Sequence, residues 1–135
     1  MSVSRLDPAS DERFVSLRRA LGVTAFGINQ MILRPGQRGR IHRHEHQEEV
    51  YLVLEGTLGL EIEGEERELA AGEIARVAPE VRRRLQNRGP RTCVVLAIGA
   101  AGEHAGRDGL AYTTWDDDAP RPPREVPLPD DLPAR

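Results

Sequence analysis

The sequence predicts an all-β fold, a barrel or sandwich of short strands in one domain. Seven or eight apolar segments follow one another within residues 24–99, and turn pairs such as Pro35-Gly36 and Ala71-Gly72 separate them. Apolar and polar residues alternate within several segments, which is the period of a strand with one buried face. This pattern argues against a parallel sheet of βαβ units. A length of 135 residues fits one domain.

The N-terminal segment, residues 1–22, is expected to carry one short helix. Ser10 followed by Asp11 and Glu12 is typical of a helix start, and Gly22 is typical of a helix end. The apolar residues that would share one face of this helix are Phe14, Leu17 and Leu21.

Residues 23–100 are expected to form the barrel. The predicted strands lie in the segments TAFGINQMILR, RIHRH, EVYLVLEG, TLGLEIEG, ERELA, EIARVA, RRLQN and RTCVVLAIG. In TLGLEIEG the residues Leu58, Leu60 and Ile62 face one way, and the residues between them face the other.

The segment EVYLVLEG is apolar on both faces. Val50, Leu52 and Leu54 share one face, and Tyr51 and Val53 share the other. A strand buried on both faces needs a cover over the outer wall of the barrel. In a domain this small, a second copy of the chain is the expected cover, so the sequence predicts a homodimer.

The composition changes after residue 100. Residues 101–118 contain Tyr112 and Trp115 and are expected to pack back on the barrel. Residues 119–135 contain six of the ten prolines, so this tail cannot be helix or central strand. We expect it to be extended or disordered, and removable after about Asp118 without loss of thermal stability.

Charge and cysteine content narrow the function classes. A net charge of −3 argues against a nucleic-acid partner held by bulk electrostatics. All 19 basic residues are arginine, which excludes a lysine Schiff base or a lysine general base. The single cysteine, Cys93, fits a reducing cytosol and lies in an apolar run, where a buried side chain is expected. No signal peptide or long apolar span is evident, so a cytoplasmic protein without a membrane partner is expected.

The stretch PGQRGRIHRHEHQEEVYLVLEG carries the chemistry. His42 and His44 are two residues apart, so on a strand both imidazoles point to the same face. A tight turn would bring Glu49, which opens the next strand, across from them. Two neutral nitrogen donors and one carboxylate leave open positions on Fe(II), Mn(II) or Zn(II). His46 and Glu48 are possible further ligands, and the alternative is a surface turn that binds no ion.

These residues match the first motif of the cupin family, Gly-x5-His-x-His-x4-Glu-x6-Gly. Every spacing is kept at Gly36, His42, His44, Glu49 and Gly56. The chain therefore resembles a small single-domain bacterial cupin of the conserved-barrel cupin 2 type. The resemblance implies a double-stranded β-helix, or jelly-roll, barrel, with the short helix and the Pro-rich tail outside it. It also implies that the two histidines and the glutamate ligate a metal inside the barrel, together with a histidine of the second motif.

The second cupin motif, Gly-x5-Pro-x-Gly-x2-His-x3-Asn, is only partly present. It begins at Gly72 and ends at Asn87 in register, but Ala78 and Glu80 stand where proline and glycine are expected. Arg83 occupies the position of the metal-binding histidine. A guanidinium stays protonated and has no lone pair to give a cation.

Arg83 leaves two outcomes open. In the first, three ligands hold the metal, Arg83 anchors an anionic group of the substrate, and Tyr51 also lines the cavity. In the second, Arg83 pairs with Glu49, neutralises it, and the barrel holds no metal. Because Arg83 shares a strand face with Leu85, an interior Leu85 would carry Arg83 inward.

The sequence thus predicts a cupin that binds a small polar or anionic molecule at a His/His/Glu site for Fe, Mn, Ni or Zn. Three classes of function stay open. The first is a metal-dependent dioxygenase or sugar-type isomerase, and the second is a non-catalytic, metal-free sensor or carrier. The third is a structural role, in which the barrel mainly provides a dimer surface.

Overall fold

The computed structural model describes residues 1–100 and 108–133. Within these residues the chain forms ten strands, one α-helix and one 3-10 helix. The strands are β1 (Phe14–Ser16), β2 (Gly27–Leu33), β3 (Ile41–His44), β4 (Glu48–Glu55), β5 (Thr57–Ile62), β6 (Glu65–Ala70), β7 (Ile74–Val77), β8 (Arg83–Gln86), β9 (Cys93–Ala100) and β10 (Gly109–Tyr112). The α-helix, α1, spans Arg18–Leu21, and the 3-10 helix spans Pro123–Glu125.

The strands form two five-stranded antiparallel sheets, the two walls of a barrel. The first wall has the order β1-β2-β9-β4-β7, and the second wall has the order β10-β3-β8-β5-β6. Most strands that follow one another along the chain, such as β3 and β4, lie in opposite walls, whereas β1 pairs with β2 and β5 pairs with β6 within one wall. The turn between β3 and β4 carries the chain from one wall to the other, which places His42 and His44 on the second wall and Glu49 on the first.

Apolar side chains from both walls fill the barrel interior. On β4, Tyr51 and Val53 point inward and are 1% and 0% exposed. The buried members of this core are Leu33, Tyr51, Val53, Leu58, Leu60, Leu69, Val77, Leu85, Cys93, Val95 and Ala97. On the outer face of β4, Val50, Leu52 and Leu54 are only half-buried. The two faces of β4 thus differ in burial although the residues on both are apolar.

The all-β prediction is confirmed, and each predicted strand segment contains an observed strand. The turn glycines have a physical reason. Gly56, between β4 and β5, has φ of 72°, a left-handed conformation that side chains disfavour. A Cβ at this position would also lie 2.4 Å from the carbonyl oxygen of Thr92. Only glycine therefore allows this turn to pass so close to the chain that enters β9.

The helix start predicted at Ser10 is wrong. The hydroxyl of Ser10 accepts the N–H of Glu12, but this local turn does not continue into a helix. Phe14–Ser16 instead pairs with β2 as the edge strand of the first wall. The edge of a sheet offers unpaired backbone groups, and satisfying them outweighs a short helix with one apolar face. The predicted end at Gly22 is confirmed, because its N–H bonds to the carbonyl of Arg18 with φ of 73°.

The described part of the C-terminal tail is irregular apart from the 3-10 helix Pro123–Glu125, and it contacts the barrel. Val126 is only 3% exposed, and the guanidinium Nε of Arg40 donates to its carbonyl at 2.5 Å. Further along, the N–H of Leu132 donates to the carbonyl of Gly36 at 2.7 Å. These contacts attach the tail to the barrel, so we expect its removal to lower the stability of the protein. The prolines exclude an α-helix and a central strand here, but they do not prevent side-chain packing and backbone contacts.

The segment before the tail covers the outer face of the second wall. Residues 101–107 lie outside the described part of the chain. After them, β10 pairs with β3, and Trp115 donates its indole N–H to Glu61 Oε2 at 3.2 Å. Glu61 also accepts from Arg84 at 3.1 Å. These contacts explain why Glu61, which points out of the barrel, is nevertheless buried.

Candidate metal centre

Three predicted ligands converge at the mouth of the barrel. His42 Nε2 lies 3.4 Å from Glu49 Oε1, and His44 Nε2 lies 3.0 Å from the same oxygen. One ligand atom of each residue lies within 4.8 Å of the others. The three side chains are 20%, 15% and 13% exposed, so the group is sheltered but reaches the surface. The predicted turn that brings Glu49 across from the imidazoles is confirmed.

The second ring nitrogen of each histidine faces an oxygen acceptor. His42 Nδ1 lies 3.2 Å from the carbonyl oxygen of Arg40. His44 Nδ1 lies 3.5 Å from a carboxylate oxygen of Asp108. A neutral imidazole carries one hydrogen, so it cannot donate to an acceptor at both nitrogens. Each ring therefore suits either the protonated form or a cation bound at Nε2, the nitrogen that faces Glu49.

His44 shows this conflict most clearly. Both of its ring nitrogens are shielded from solvent, and neither makes a hydrogen bond of good geometry among the described residues. A buried polar atom without a partner costs roughly 1–3 kcal/mol, and a cation at Nε2 would remove that cost for this nitrogen.

Arg83 lies inside the barrel, as its shared face with Leu85 predicts. Its side chain is 0% exposed, and its Nη2 donates to Glu49 Oε1 at 2.6 Å. Its Nε donates to the hydroxyl of Tyr51 at 3.2 Å. Its Nη1 faces three backbone carbonyls of the β7–β8 loop, of Ala78, Pro79 and Val81, at 2.7–3.3 Å. Protein groups thus engage all three of its nitrogens.

Tyr51 completes the support of Glu49. Its hydroxyl donates to Glu49 Oε1 at 2.5 Å. Burial, together with the negative charge of Glu49, raises the pKa of Tyr51 well above its usual range. Burial alone would raise the pKa of Glu49, but the neighbouring imidazoles of His42 and His44 hold it well below its usual range. Glu49 is therefore an ionised carboxylate, and Tyr51 is a hydrogen-bond donor to it.

These contacts differ from the substrate-binding role predicted for Arg83 and Tyr51. Both side chains are almost fully buried, at 0% and 1% exposure, and both point their donors at Glu49. The structure therefore favours a supporting role for both residues over direct contact with a substrate at the mouth.

The two further ligands suggested by the sequence do not join this group. Glu48 points out of the barrel and pairs with Arg76 on the surface. His46 is 73% exposed, and its Nδ1 lies 3.1 Å from Asp108 Oδ1. His46, Asp108 and Glu45 form a second group whose ligand atoms could hold a metal ion. The reason for the separation is the alternation of β4 and the turn before it, which direct Glu48 and His46 away from Glu49.

The donor set at the mouth fits a divalent metal ion with three protein ligands. Two imidazoles whose outer nitrogens face acceptors, and a carboxylate held by neighbouring donors, form the usual surroundings of metal ligands. Arg83 has no lone pair to give a metal ion, so it cannot serve as a fourth protein ligand at this site. It also adds a positive charge next to Glu49, which lowers the affinity for a cation relative to a site with histidine at this position.

The two-walled barrel and the His/His/Glu group at its mouth define the class of protein, a cupin. The chain belongs to the Cupin domain family, whose model matches residues 29–99, a little over half of the sequence. The matched range contains the three candidate ligands and Arg83. No curated protein matches the chain. Among the described residues, none of the helices has the length and apolar character needed to cross a membrane.

Solved structures similar to this chain share its barrel. The Cupin 2 conserved barrel domain protein from Salinispora arenicola is 23% identical with a TM-score of 0.65, over 74% of this chain and 88% of that one. A sugar phosphate isomerase of the cupin superfamily from Silicibacter pomeroyi is 26% identical with a TM-score of 0.66, over 86% and 79%. A cupin protein from Bacteroides fragilis is 26% identical with a TM-score of 0.63, over 88% and 98%.

Asp108 is the residue near this site that sequence reasoning missed. It lies in the stretch GRDGLAY, more than 60 residues from His44 along the chain, and nothing in its neighbourhood indicates a ligand-like role. Its place beside the histidines depends on the pairing of β10 with β3. A single sequence contains no pattern that would indicate that Asp108 lies near His44.

Proposed function

We propose that this cupin holds one divalent metal ion at His42, His44 and Glu49, and binds a small polar or anionic molecule there. One observation carries the proposal: both Nε2 atoms face Glu49 while both Nδ1 atoms face acceptors. This arrangement leaves the imidazole lone pairs for a cation, with an oxygen acceptor behind each ring. Fe, Mn, Ni and Zn all accept such a ligand set.

When bound, the metal ion would supply Lewis acidity toward an oxygen atom of the bound molecule. The chain itself does the rest. His42 and His44 present their Nε2 atoms, and Arg83 and Tyr51 hold the Glu49 carboxylate in place. Apolar side chains fill the barrel interior.

The first activity to test is that of a sugar-type isomerase. The similar structure from Silicibacter pomeroyi is described as a sugar phosphate isomerase, and it is 26% identical to this chain. A dioxygenase uses the same type of ligand set, so oxygen consumption is the second assay.

A metal-free cupin with a sensor or structural role is the second candidate, and the Arg83–Glu49 contact favours it. Arg83 is fully buried and lies 2.6 Å from Glu49. Its positive charge already neutralises the carboxylate that a metal ion would need as a ligand. Such a buried ion pair can take the place of a metal ion in joining the two walls at the mouth of the barrel.

The experiment that separates the two candidates is metal analysis of tag-free protein purified without chelator, followed by titration with Zn, Mn, Fe(II) and Ni. We expect near-stoichiometric metal in the native protein. His42→Ala combined with His44→Ala should abolish it without unfolding the protein, and His46→Ala, a matched exposed histidine, should retain it. Native protein that stays empty, while an Arg83→His variant takes up metal, would instead support the metal-free candidate.

We further propose that the protein acts in the cytoplasm as a homodimer. The single cysteine supports the first part, because Cys93 is fully buried and burial raises the pKa of its thiol to about 12. Such a thiol forms no disulfide in the folded chain. The half-buried outer side chains of β4, next to Ile74 at 64% exposure, support the second part.

A further inference from the structure

A cleft of about 330 Å³ lies between the outer face of the second wall and the C-terminal tail. The wall side is formed by Ile41 of β3, Arg84 of β8 and Tyr112 of β10, and by Arg40, which precedes β3. Ile41 and Tyr112 pair directly across the β3–β10 ladder. Along each strand these residues alternate with those that enter the barrel, so they face away from its interior. The cleft is therefore a site distinct from the candidate metal centre.

The tail is attached at both ends of this cleft. At one end Val126 is buried, and its carbonyl accepts from Arg40 Nε at 2.5 Å. At the other end the carbonyl of Asp130 accepts from Arg38 Nε at 3.1 Å. The three residues between these ends are Leu128 and the prolines on either side of it, and all three line the cleft. Leu128 is still 43% exposed, so the tail side of the cleft keeps apolar surface that no packing covers.

Arg40 and Arg84 bring two guanidinium groups to the cleft, and each uses only its Nε in a hydrogen bond. Arg40 Nε donates to the Val126 carbonyl, and Arg84 Nε donates to Glu61 Oε1 at 3.1 Å. Within residues 1–100 and 108–133, the terminal nitrogens of both side chains donate to no acceptor. A guanidinium with free N–H groups binds a carboxylate through two parallel hydrogen bonds.

The charge around the cleft is positive on balance. Arg40 and Arg84 line it, and Arg38 lies close by, since burial and the charge of Arg84 lower the pKa of Arg38. The carboxylate of Asp130 also lines the cleft but belongs to an exposed residue, and that of Glu61 is already paired with Arg84. Fixed positive charge beside a concave surface favours an anionic ligand.

We propose that this cleft binds a small organic carboxylate. Its carboxylate group would lie on Arg40 and Arg84, and its apolar part would lie against Ile41 and Leu128. The volume is at the lower end of the range for small-molecule sites, which suits a molecule of the size of benzoate or hexanoate. An inorganic anion would use the guanidinium groups but leave the apolar side uncovered. The site lies outside the barrel, so it does not depend on the proposed metal centre.

The test titrates benzoate and hexanoate into full-length, chelator-treated protein, followed by proton–nitrogen NMR. We expect dissociation constants of about 1 mM, as is usual for ligands this small. The backbone signals of Ile41 and Leu128 and the Nε–H signals of Arg40 and Arg84 should shift, while that of Glu49 at the mouth should not. Benzyl alcohol, which lacks the charge, and inorganic phosphate, which lacks the apolar part, should each bind at least about 10-fold more weakly.

Two variants locate the site, and a third is the control. Arg40→Gln removes one guanidinium and should weaken binding of both probes about 10-fold or more. Because Arg40 also holds the tail at Val126, Leu128→Glu provides an independent variant: this exposed position accepts a polar side chain, and the added negative charge should weaken binding as strongly. Arg124→Gln changes an exposed arginine of the same tail that does not line the cleft, so it should bind as native protein does.

Loss of carboxylate binding in the two cleft variants, with full binding in Arg124→Gln, would support the proposal. It would be overturned if neither probe bound at roughly 10 mM. Shifts confined to the surroundings of Glu49, or binding unchanged by Leu128→Glu, would place the carboxylate elsewhere and overturn it as well. Equal affinity for benzyl alcohol would refute the role of the charge, and tighter binding of phosphate would refute the role of the apolar side. If Arg40→Gln does not fold, Leu128→Glu decides.

Discussion

Replacing Arg83 by methionine tests the central contact of the barrel. Methionine keeps much of the length of the side chain but removes the charge and every donor. Glu49, only 13% exposed, would then lose its Nη2 donor at 2.6 Å, and Tyr51 would lose the Nε donor. Breaking a buried ion pair by removing one partner costs about 3–5 kcal/mol, because the other charge stays buried and unpaired. For a chain of this length, we expect the melting temperature to fall by roughly 10–20 °C.

The assay is chemical denaturation of chelator-treated protein, which removes any contribution of bound metal. A double-mutant cycle with Glu49→Gln isolates the pair. In the Glu49→Gln background no carboxylate remains uncompensated, so Arg83→Met should cost about 2 kcal/mol less than in native protein. The matched control is Arg76→Met, which breaks an ion pair to Glu48 on the surface of the first wall. Both partners are more than half exposed there, so this change should cost less than about 1 kcal/mol.

Two results would refute this reasoning. A loss below about 1 kcal/mol for Arg83→Met would mean that the buried guanidinium does not compensate Glu49. An equal loss in the presence and absence of Glu49→Gln would mean that the cost comes from the three loop carbonyls that face Nη1, and not from the ion pair.

Two further predictions concern the outside of the barrel. Ending the chain after Asp118 should lower the free energy of unfolding by about 2 kcal/mol, because it exposes the apolar site that Val126 covers. An unchanged denaturation midpoint would support a loose tail instead. Native protein should be a dimer by light scattering at micromolar concentration, and Leu52→Glu, opposite Ile74 on the outer wall, should make it a monomer. A monomeric native protein would show that the apolar outer face of β4 is not a dimer surface.

The short-range features of this protein could be predicted from the sequence. Strand alternation has a period of two residues, so it places Tyr51 and Val53 inside and carries Arg83 inward with Leu85. The spacing from His42 through His44 to Glu49 likewise identifies the group at the mouth, because all three residues lie on two strands joined by one turn. These conclusions need only residues that are close together along the chain.

The N-terminal segment shows where local patterns stop. Ser10, the acidic residues after it and the apolar spacing of Phe14 all favour a helix, yet Phe14 pairs with Met31 of β2. The local signal was real, since Ser10 does accept the N–H of Glu12. The segment forms a strand because it pairs with the free edge of a sheet built from residues distant in sequence. The residues of the segment itself do not indicate that this edge exists.

Only the tertiary structure decides which distant residues contact one another. From the sequence, Arg83 could bind a substrate anion or Glu49; its direct contact with Glu49 across 34 residues of chain supports the second. Asp108 reaches the β3–β4 turn across about 60 residues, and Val126 reaches Arg40 across 86. Periodicity determines which face a side chain occupies, because that depends on neighbouring backbone angles. Which group it meets on that face depends on how distant strands and the tail are brought together, and that is a property of the whole barrel.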